Sequence, residues 1–369
     1  MILHLLSFDK FGEYVIKQFS APEMSSEFVV ITQEECESET YVGSYVRQIA
    51  EPSPDFDNLL LELGNYKAIV LHGLFYPWQE TVLRKVPSNV KVAWAFWGGD
   101  IYGRRDLRDR FLSCTSKRIT LIQSLKRRIK RKKGTNKYEI PSDLLKRIDY
   151  CLTDIPEDFA FVKKYLGTDI KELWYNYYSV EETIGDMMNS TCNGNCILLG
   201  NSSTVECNHI DGMMALKKFK TDSASIIVPL SYGESWLRTL ISRKGSRMFG
   251  VRFNPLLDFL PRQDYNRVIQ SCSVVVMPHY RPQAFGNILT ALWLGTRVYL
   301  SNRNPLFPFF KRIGAILFSL EDDLTPSNPE ALTALSSGQR EQNRAVIASL
   351  YGKESMHLKN LEIVNVLNS

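Results

Sequence analysis

The stretch Gly200-Asn201-Ser202-Ser203 follows the apolar run Ile197-Leu198-Leu199, and His209 to Lys218 then reads as a helix. Backbone N–H groups and hydroxyls in such a strand-to-helix turn face the positive end of the helix dipole, which predicts a phosphate-sized pocket. His209 opens that helix. The plain alternative is an ordinary turn with Asn208 as the helix cap. A second polar stretch, His279 to Asn287, follows the strand Val274 to Met277 and opens another helix. Arg281 there has the fork geometry to grip a diphosphate. Gln283 and Asn287 can hydrogen-bond phosphate or sugar hydroxyls, and Gly286 lets a ligand approach the backbone. A solvated arginine and a helix cap would look the same. A third turn, Pro229 to Gly233, places Tyr232 where its ring could stack on a base or ribose, or simply pack the turn.

Two further strand ends lie in the first half. His72 precedes Gly73, and Trp97 precedes Gly98-Gly99-Asp100. Asp100 or His72 could take a proton from an attacking hydroxyl, and Trp97 could stack on a sugar. The structural alternatives are a packed histidine, a helix-capping aspartate and a core tryptophan.

These turns need elements to hold them. Ile2 to Phe8, Phe28 to Thr32, Ala68 to His72, Val90 to Trp97 and Tyr150 to Asp154 are expected strands, with a helix over Phe56 to Leu63. In the second half the expected strands are Cys196 to Leu199, Ser225 to Leu230, Ser246 to Phe249, Ser273 to Met277 and Thr296 to Leu300, about five in parallel and separated by helices. Alternation of this kind gives an α/β fold of doubly wound, parallel sheets, and the length predicts two domains. We place the first at 1–185, the second at 186–345, and a helical tail at 346–369 that packs on the first.

The chain has a net charge of only +5, but its cations are concentrated. From Lys117 to Arg147 it carries Lys126, Arg127, Arg128, Lys130, Arg131, Lys132 and Lys133, with Glu139 and Asp143 as the acidic counterweight. Such a patch points to a polyanion. Leu121, Ile122, Leu125 and Ile129 form a helical stripe beside it, the pattern of a helix lying on an anionic membrane surface. No folded nucleic-acid-binding motif is present, so nucleic acid is not an expected partner. The N-terminal run reads as a first strand, not a signal peptide, and scattered cysteines fit a reducing cytoplasm. Cys192, Cys196, Cys207 and His209 have the residue types of a zinc site without its spacing.

Taken in order, His72-Gly73 with Pro77-Trp78, Trp97-Gly98-Gly99-Asp100-Ile101-Tyr102, Leu199-Gly200-Asn201-Ser202 with Asn208-His209, Pro229 to Gly233, and Arg281 to Asn287 with Leu292-Trp293-Leu294-Gly295 resemble the bacterial 4-acetamido-4,6-dideoxygalactose transferases, also described as 4-α-L-fucosyltransferases. The resemblance implies a GT-B fold, two Rossmann-like domains facing an interdomain cleft. It implies a dTDP-, UDP- or GDP-linked deoxy-amino or fucose-like donor on the second domain. A polyprenyl-diphosphate-linked saccharide would be the acceptor, with Trp97 and Tyr102 near it, and no essential metal or other cofactor is called for. The implied location is the cytoplasmic face of the inner membrane. Pro282, Phe285 and Gly99 depart from the residues common in that family, which leaves the donor sugar open. Two other classes fit the same residues: a non-catalytic nucleotide- or polyanion-binding protein, and a nucleotide-sugar epimerase of the same fold.

Overall fold

Strands buried on both faces read as continuous apolar runs, and two sheets are built from such runs. The computed structural model describes residues 1–7, 11–32, 46–129, 138–219 and 224–369, without the side chains of 127–129. Lys130, Arg131, Lys132 and Lys133 thus lie outside the described residues, as do the side chains of Arg127 and Arg128. The chain divides into two units. The first comprises Met1–Arg104, the stretch ending at Ser179, and Lys353–Ser369; the second comprises the stretch beginning at Arg105 together with Val180–Gly352.

The first unit holds β1 (Ile2–Ser7), β2 (Ser26–Thr32), β3 (Val46–Ala50), β4 (Ala68–His72), β5 (Lys91–Ala95), β6 (Tyr150–Thr153) and β7 (Lys171–Trp174). They form a 7-stranded parallel sheet in the order β3-β2-β1-β4-β5-β6-β7. All six residues of β1 are buried, and Ile2 registers with both Ser26 and Ala68. The chain winds outward from β1 and then crosses to β4, which leaves a crevice beyond the carboxyl ends of these two strands. One face is packed by the helix Gly12–Phe19 and by Ile363, Val364 and Leu367 of the helix Lys353–Asn368. Asn360 donates to Gln18 (3.3 Å) and Lys91 donates to the Val366 carbonyl (2.9 Å), fastening that last helix.

The second unit repeats the pattern with β8 (Cys196–Leu199), β9 (Ile226–Pro229), β10 (Phe253–Leu256), β11 (Cys272–Met277), β12 (Arg297–Leu300) and β13 (Phe318–Ser319). Its 6-stranded sheet is also wholly parallel, in the order β10-β9-β8-β11-β12-β13. The switch between β8 and β11 matches that between β1 and β4. The helix Cys114–Ile129 belongs to this unit; Ser113 and Thr115 donate to Asp211 (2.6 and 3.2 Å) in the helix His209–Leu216.

One expected strand is corrected. Ser246 to Phe249 is the end of a helix, Ser235–Phe249, and the strand lies further on at β10. Gly245 looks like a breaker, but it is where the Phe253 ring packs on the helix: a Cβ there would lie 2.0 Å from that ring. Pro255 is tolerated in β10 because this strand is a sheet edge.

Candidate active site

The loops after β8, β9 and β11 meet at the switch point of the second sheet. Gly200 turns the chain at φ +71°, and a Cβ there would lie 2.8 Å from His209 Nε2. Ser203 and Gly233 then pair as an isolated parallel bridge: Ser203 donates to the Tyr232 carbonyl (2.8 Å) and accepts from the Glu234 N–H (2.7 Å). Gly233 stands at φ +112°, and any Cβ would sit 2.4 Å from the Ser203 carbonyl oxygen. This zipper fixes the two loops and leaves Tyr232 52% exposed.

The loop after β11 is tied in through side chains. Gln283 Nε2 donates to Asn201 Oδ1 (3.1 Å) and to Cys207 Sγ (3.2 Å). Cys207 donates to the same Asn201 oxygen (3.3 Å) and touches Ser202 Oγ (3.5 Å) and Thr204 Oγ1 (3.4 Å). Asn201 Nδ2 in turn reaches the Tyr232 hydroxyl (3.3 Å). Six residues from three loops therefore share one polar knot around the Cys207 thiol. Asn304, fully buried, holds the loop from below, donating to the carbonyls of His279 (3.1 Å) and Arg281 (3.2 Å).

Arg281 emerges half-buried beside this knot, and its Nε is buried with no partner. Burial alone would raise the Glu206 carboxyl, but the guanidinium groups of Arg108 and Arg281 hold it below its ordinary range. Arg108 also bridges Glu206 (2.8 Å) and Glu234 (3.0 Å). Gly286 and Asn287 lie in the first turn of the helix Phe285–Leu294, which has Ala284 in left-handed conformation at its cap and no side-chain cap bond. Asn287 Nδ2 lies 3.5 Å from the Tyr265 hydroxyl. An uncapped helix start beside a guanidinium is suited to an anion.

Two sequence expectations shift here. Both helices, His209–Leu216 and Phe285–Leu294, start without a side-chain cap bond, but the Gly200 to Ser203 turn does not lead directly into the first. A 3₁₀ turn, Val205–Cys207, intervenes after Ser203, and Asn208 is spent on Ser113 N (2.9 Å) and the carbonyls of Phe111 and Pro278 (3.4 and 3.1 Å). His209 is buried beneath Gly200 with Nε2 unpartnered, and burial lowers its pKa to about 4. It packs against the Gly200 turn from inside the unit.

In the first unit, an aromatic ledge forms beyond β1, β4, β5 and β7. Phe11, Phe75 and Tyr177 surround Trp97 with ring centroids 4.7, 5.6 and 5.6 Å away. Gly73, at φ +71°, leaves room for Phe75 and Trp97: a Cβ would meet them at 2.8 and 3.2 Å. Trp97 is half-buried among these rings. Asp100 Oδ2 accepts from the Trp94 indole (2.9 Å) and the Trp97 N–H (3.3 Å), while Oδ1 is buried and unpartnered. Burial raises its pKa to about 7. A carboxyl that is half-ionised near neutrality is matched to general-base work.

His72 and Tyr102 occupy other roles than expected. His72 is 1% exposed, and both ring nitrogens face protein partners, His4 and Tyr177, which leaves none for a substrate hydroxyl. Tyr102 is wholly buried, donates to Asp158 (2.5 Å) and stacks on Phe161, so it offers no face to a sugar.

Two parallel sheets, each wound outward from a central strand and back across it, with polar loops gathered at the second switch point, are the GT-B class of α/β protein. The same fold is found in an E. coli trehalose-6-phosphate structure bound with UDP-2-fluoro glucose (11% identity, 100% of this chain and 99% of that one, TM-score 0.64). It recurs in Anabaena HepE in complex with UDP and glucose (11%, 99% and 98%, TM-score 0.61) and in a glycosyltransferase from Rickettsia africae (12%, 99% and 98%, TM-score 0.64). The model of the 4-alpha-L-fucosyltransferase family, glycosyl transferase group 56, matches residues 4–330, and the chain belongs to that family. It is an enzyme that transfers a sugar.

Proposed function

We propose that this enzyme moves a fucose-like or deoxy-amino sugar from a nucleotide-linked donor to a polyprenyl-diphosphate-linked saccharide at a membrane surface. The observation that carries the donor half is the knot of Asn201, Cys207 and Gln283 at the β8/β11 switch point, with Arg281 and an uncapped helix start beside it. The donor diphosphate lies on Arg281 and the N–H groups around Gly286 and Asn287, with Ser202 and Tyr232 toward the nucleoside. No metal is needed where a guanidinium and a helix start neutralise the diphosphate.

The acceptor saccharide stacks on Trp97. Asp100, half-ionised near neutral pH, accepts the hydroxyl proton if the reaction inverts the anomeric centre. The acceptor's lipid tail stays in the bilayer, against which the helix Cys114–Ile129 rests. That helix exposes Leu121 (61%), Ile122 (53%) and Leu125 (48%) together with Lys117, Arg118 and Lys126. No helix among the described residues is long and apolar enough to cross a membrane.

The test is a thermal-shift panel of UDP-, dTDP- and GDP-sugars, followed by transfer of the stabilising sugar to farnesyl-diphosphate-linked N-acetylglucosamine. One nucleotide family should raise the melting temperature and support transfer. Stabilisation by none of them overturns the donor reading, and conversion of the free nucleotide sugar without an acceptor would favour an epimerase.

A further inference from the structure

Behind the aromatic ledge of the first unit runs a file of buried polar atoms whose proton positions can be deduced. Ser26 Oγ lies 3.0 Å from the Met24 carbonyl oxygen and 3.3 Å from His4 Nε2. His4 Nδ1 lies 3.1 Å from His72 Nε2, and His72 Nδ1 lies 3.3 Å from the Tyr177 hydroxyl. The Tyr177 oxygen accepts from the Trp97 indole N–H. His4 and His72 are each 1% exposed, and Phe19 and Phe28 pack on His4 with centroids 4.7 and 5.3 Å away. Burial pushes His4 down to about 3 and His72 well below the ordinary histidine range, so both rings are neutral.

A neutral imidazole has one donor and one acceptor nitrogen, and a serine has one proton. The carbonyl of Met24 can only accept, so the Ser26 proton goes to it. Ser26 then accepts from His4, which places the His4 proton on Nε2 and leaves Nδ1 bare. His72 must donate to that bare nitrogen, so its proton is also on Nε2. Its Nδ1 is left to accept from the Tyr177 O–H, and the Tyr177 oxygen is left to accept from Trp97. With the file reversed, Met24 would lose the Ser26 proton. The N–H groups of His72 and Trp97 would then both aim at one phenol oxygen, turning the phenol's own proton off the file.

We propose that His4 is a positioning residue that fixes the His72 tautomer and, through the Tyr177 phenol, the orientation of the Trp97 indole. The consequence for acceptor binding rests on the reading of Trp97 as the acceptor face. His4 itself touches no substrate.

The experiment is a two-bond 1H–15N spectrum of the full-length enzyme at pH 7, recorded for wild type, His4→Phe and His4→Gln. Wild-type His4 and His72 should both be neutral with the proton on Nε2; a proton on Nδ1 of either ring, or a charged ring, overturns the inference. In His4→Phe the acceptor for His72 is gone, so the His72 proton should move to Nδ1 and the Trp97 indole N–H resonance should shift. In His4→Gln the carbonyl can accept from His72 while the amide donates to Ser26, so both signals should return toward wild type. A Gln variant no better than the Phe variant overturns the inference, and this comparison with the wild-type spectrum still decides if His4→Phe does not fold. The KM for farnesyl-diphosphate-linked N-acetylglucosamine should rise roughly three- to tenfold in His4→Phe, the size of one net hydrogen bond, with the donor KM unchanged. A switched tautomer with an unmoved acceptor KM overturns the positioning role. A wild-type enzyme that transfers no sugar but shows these tautomers counts against the proposed function, while the spectra still support the His4 assignment.

Discussion

The amide of Gln283 donates to Asn201 Oδ1 across 3.1 Å, joining the loop after β11 to the loop after β8 although 82 positions separate them in sequence. That bond crosses the switch point of the second sheet, where a doubly wound fold leaves its crevice. Removing either partner should therefore loosen the same structure. Asn201→Ala and Gln283→Ala are each expected to raise the donor KM roughly three- to thirtyfold, as for loss of one or two buried polar partners. The double variant should cost clearly less than the sum, because the two act as one unit. Steady-state kinetics over the four-member cycle checks this, and strict additivity would show that the bond is incidental.

Gly233 tests the backbone side of the same loops. Its φ of +112° and a would-be Cβ 2.4 Å from the Ser203 carbonyl leave no room for a side chain. Gly233→Ala should lower stability by about 2–3 kcal/mol in urea unfolding, from steric conflict together with backbone strain. Gly167, also at positive φ (+62°) but with no atom near its Cβ position, is the control. Gly167→Ala should cost about 1 kcal/mol, the conformational part alone.

Asp100 makes the pH dependence specific. Its folded pKa of about 7 lies above the ordinary carboxyl value, so the folded state binds the proton more tightly than the unfolded state. That contribution is present in full at low pH and is lost as pH rises toward 7, at up to about 1.4 kcal/mol per pH unit. Asp100→Asn should therefore gain stability relative to wild type between pH 5 and pH 8. Activity of the wild type should rise through pH 7 if Asp100 is the base, and the variant should lose that limb. A variant with unchanged activity would remove Asp100 from the chemistry.

The helix Cys114–Ile129 provides a separable test of the membrane reading. Leu121→Asp with Leu125→Asp alters only exposed positions. Co-sedimentation with phosphatidylglycerol vesicles should fall several-fold and become more salt-sensitive, while donor affinity stays the same. Equal sedimentation would show that this face does not meet the lipid.

Much of the fold was legible because central parallel strands must be apolar on both faces. β4 and β8 lie where the runs Ala68 to His72 and Cys196 to Leu199 place them. The edges were not legible. β3 and β7 carry polar residues, β13 has only 2 residues, and β10 contains Pro255, so none gives a strong apolar signal. At the candidate site, Asn201, Gln283 and Tyr232 stand out in the sequence as polar residues in turns that follow apolar strands, and hydrogen bonds join them in the structure. Cys207 and Asn304 do not stand out. A buried thiol is ordinary core by type, and its place at the centre of the knot depends on partners brought together only by the winding of the sheet. Tyr102 and His72 erred the other way: polar atoms next to strand ends proved to be satisfied inside the unit by Asp158, His4 and Tyr177.

The central claim is that Arg281 holds the donor diphosphate. Titration calorimetry of the stabilising nucleotide sugar against wild type and Arg281→Ala tests it most directly. The account predicts a loss of about 2–3 kcal/mol, roughly 30- to 150-fold in Kd, since a charge-assisted bidentate contact is removed. It also predicts that the unphosphorylated nucleoside binds both proteins equally. Equal affinity of the two proteins for the nucleotide sugar would contradict it.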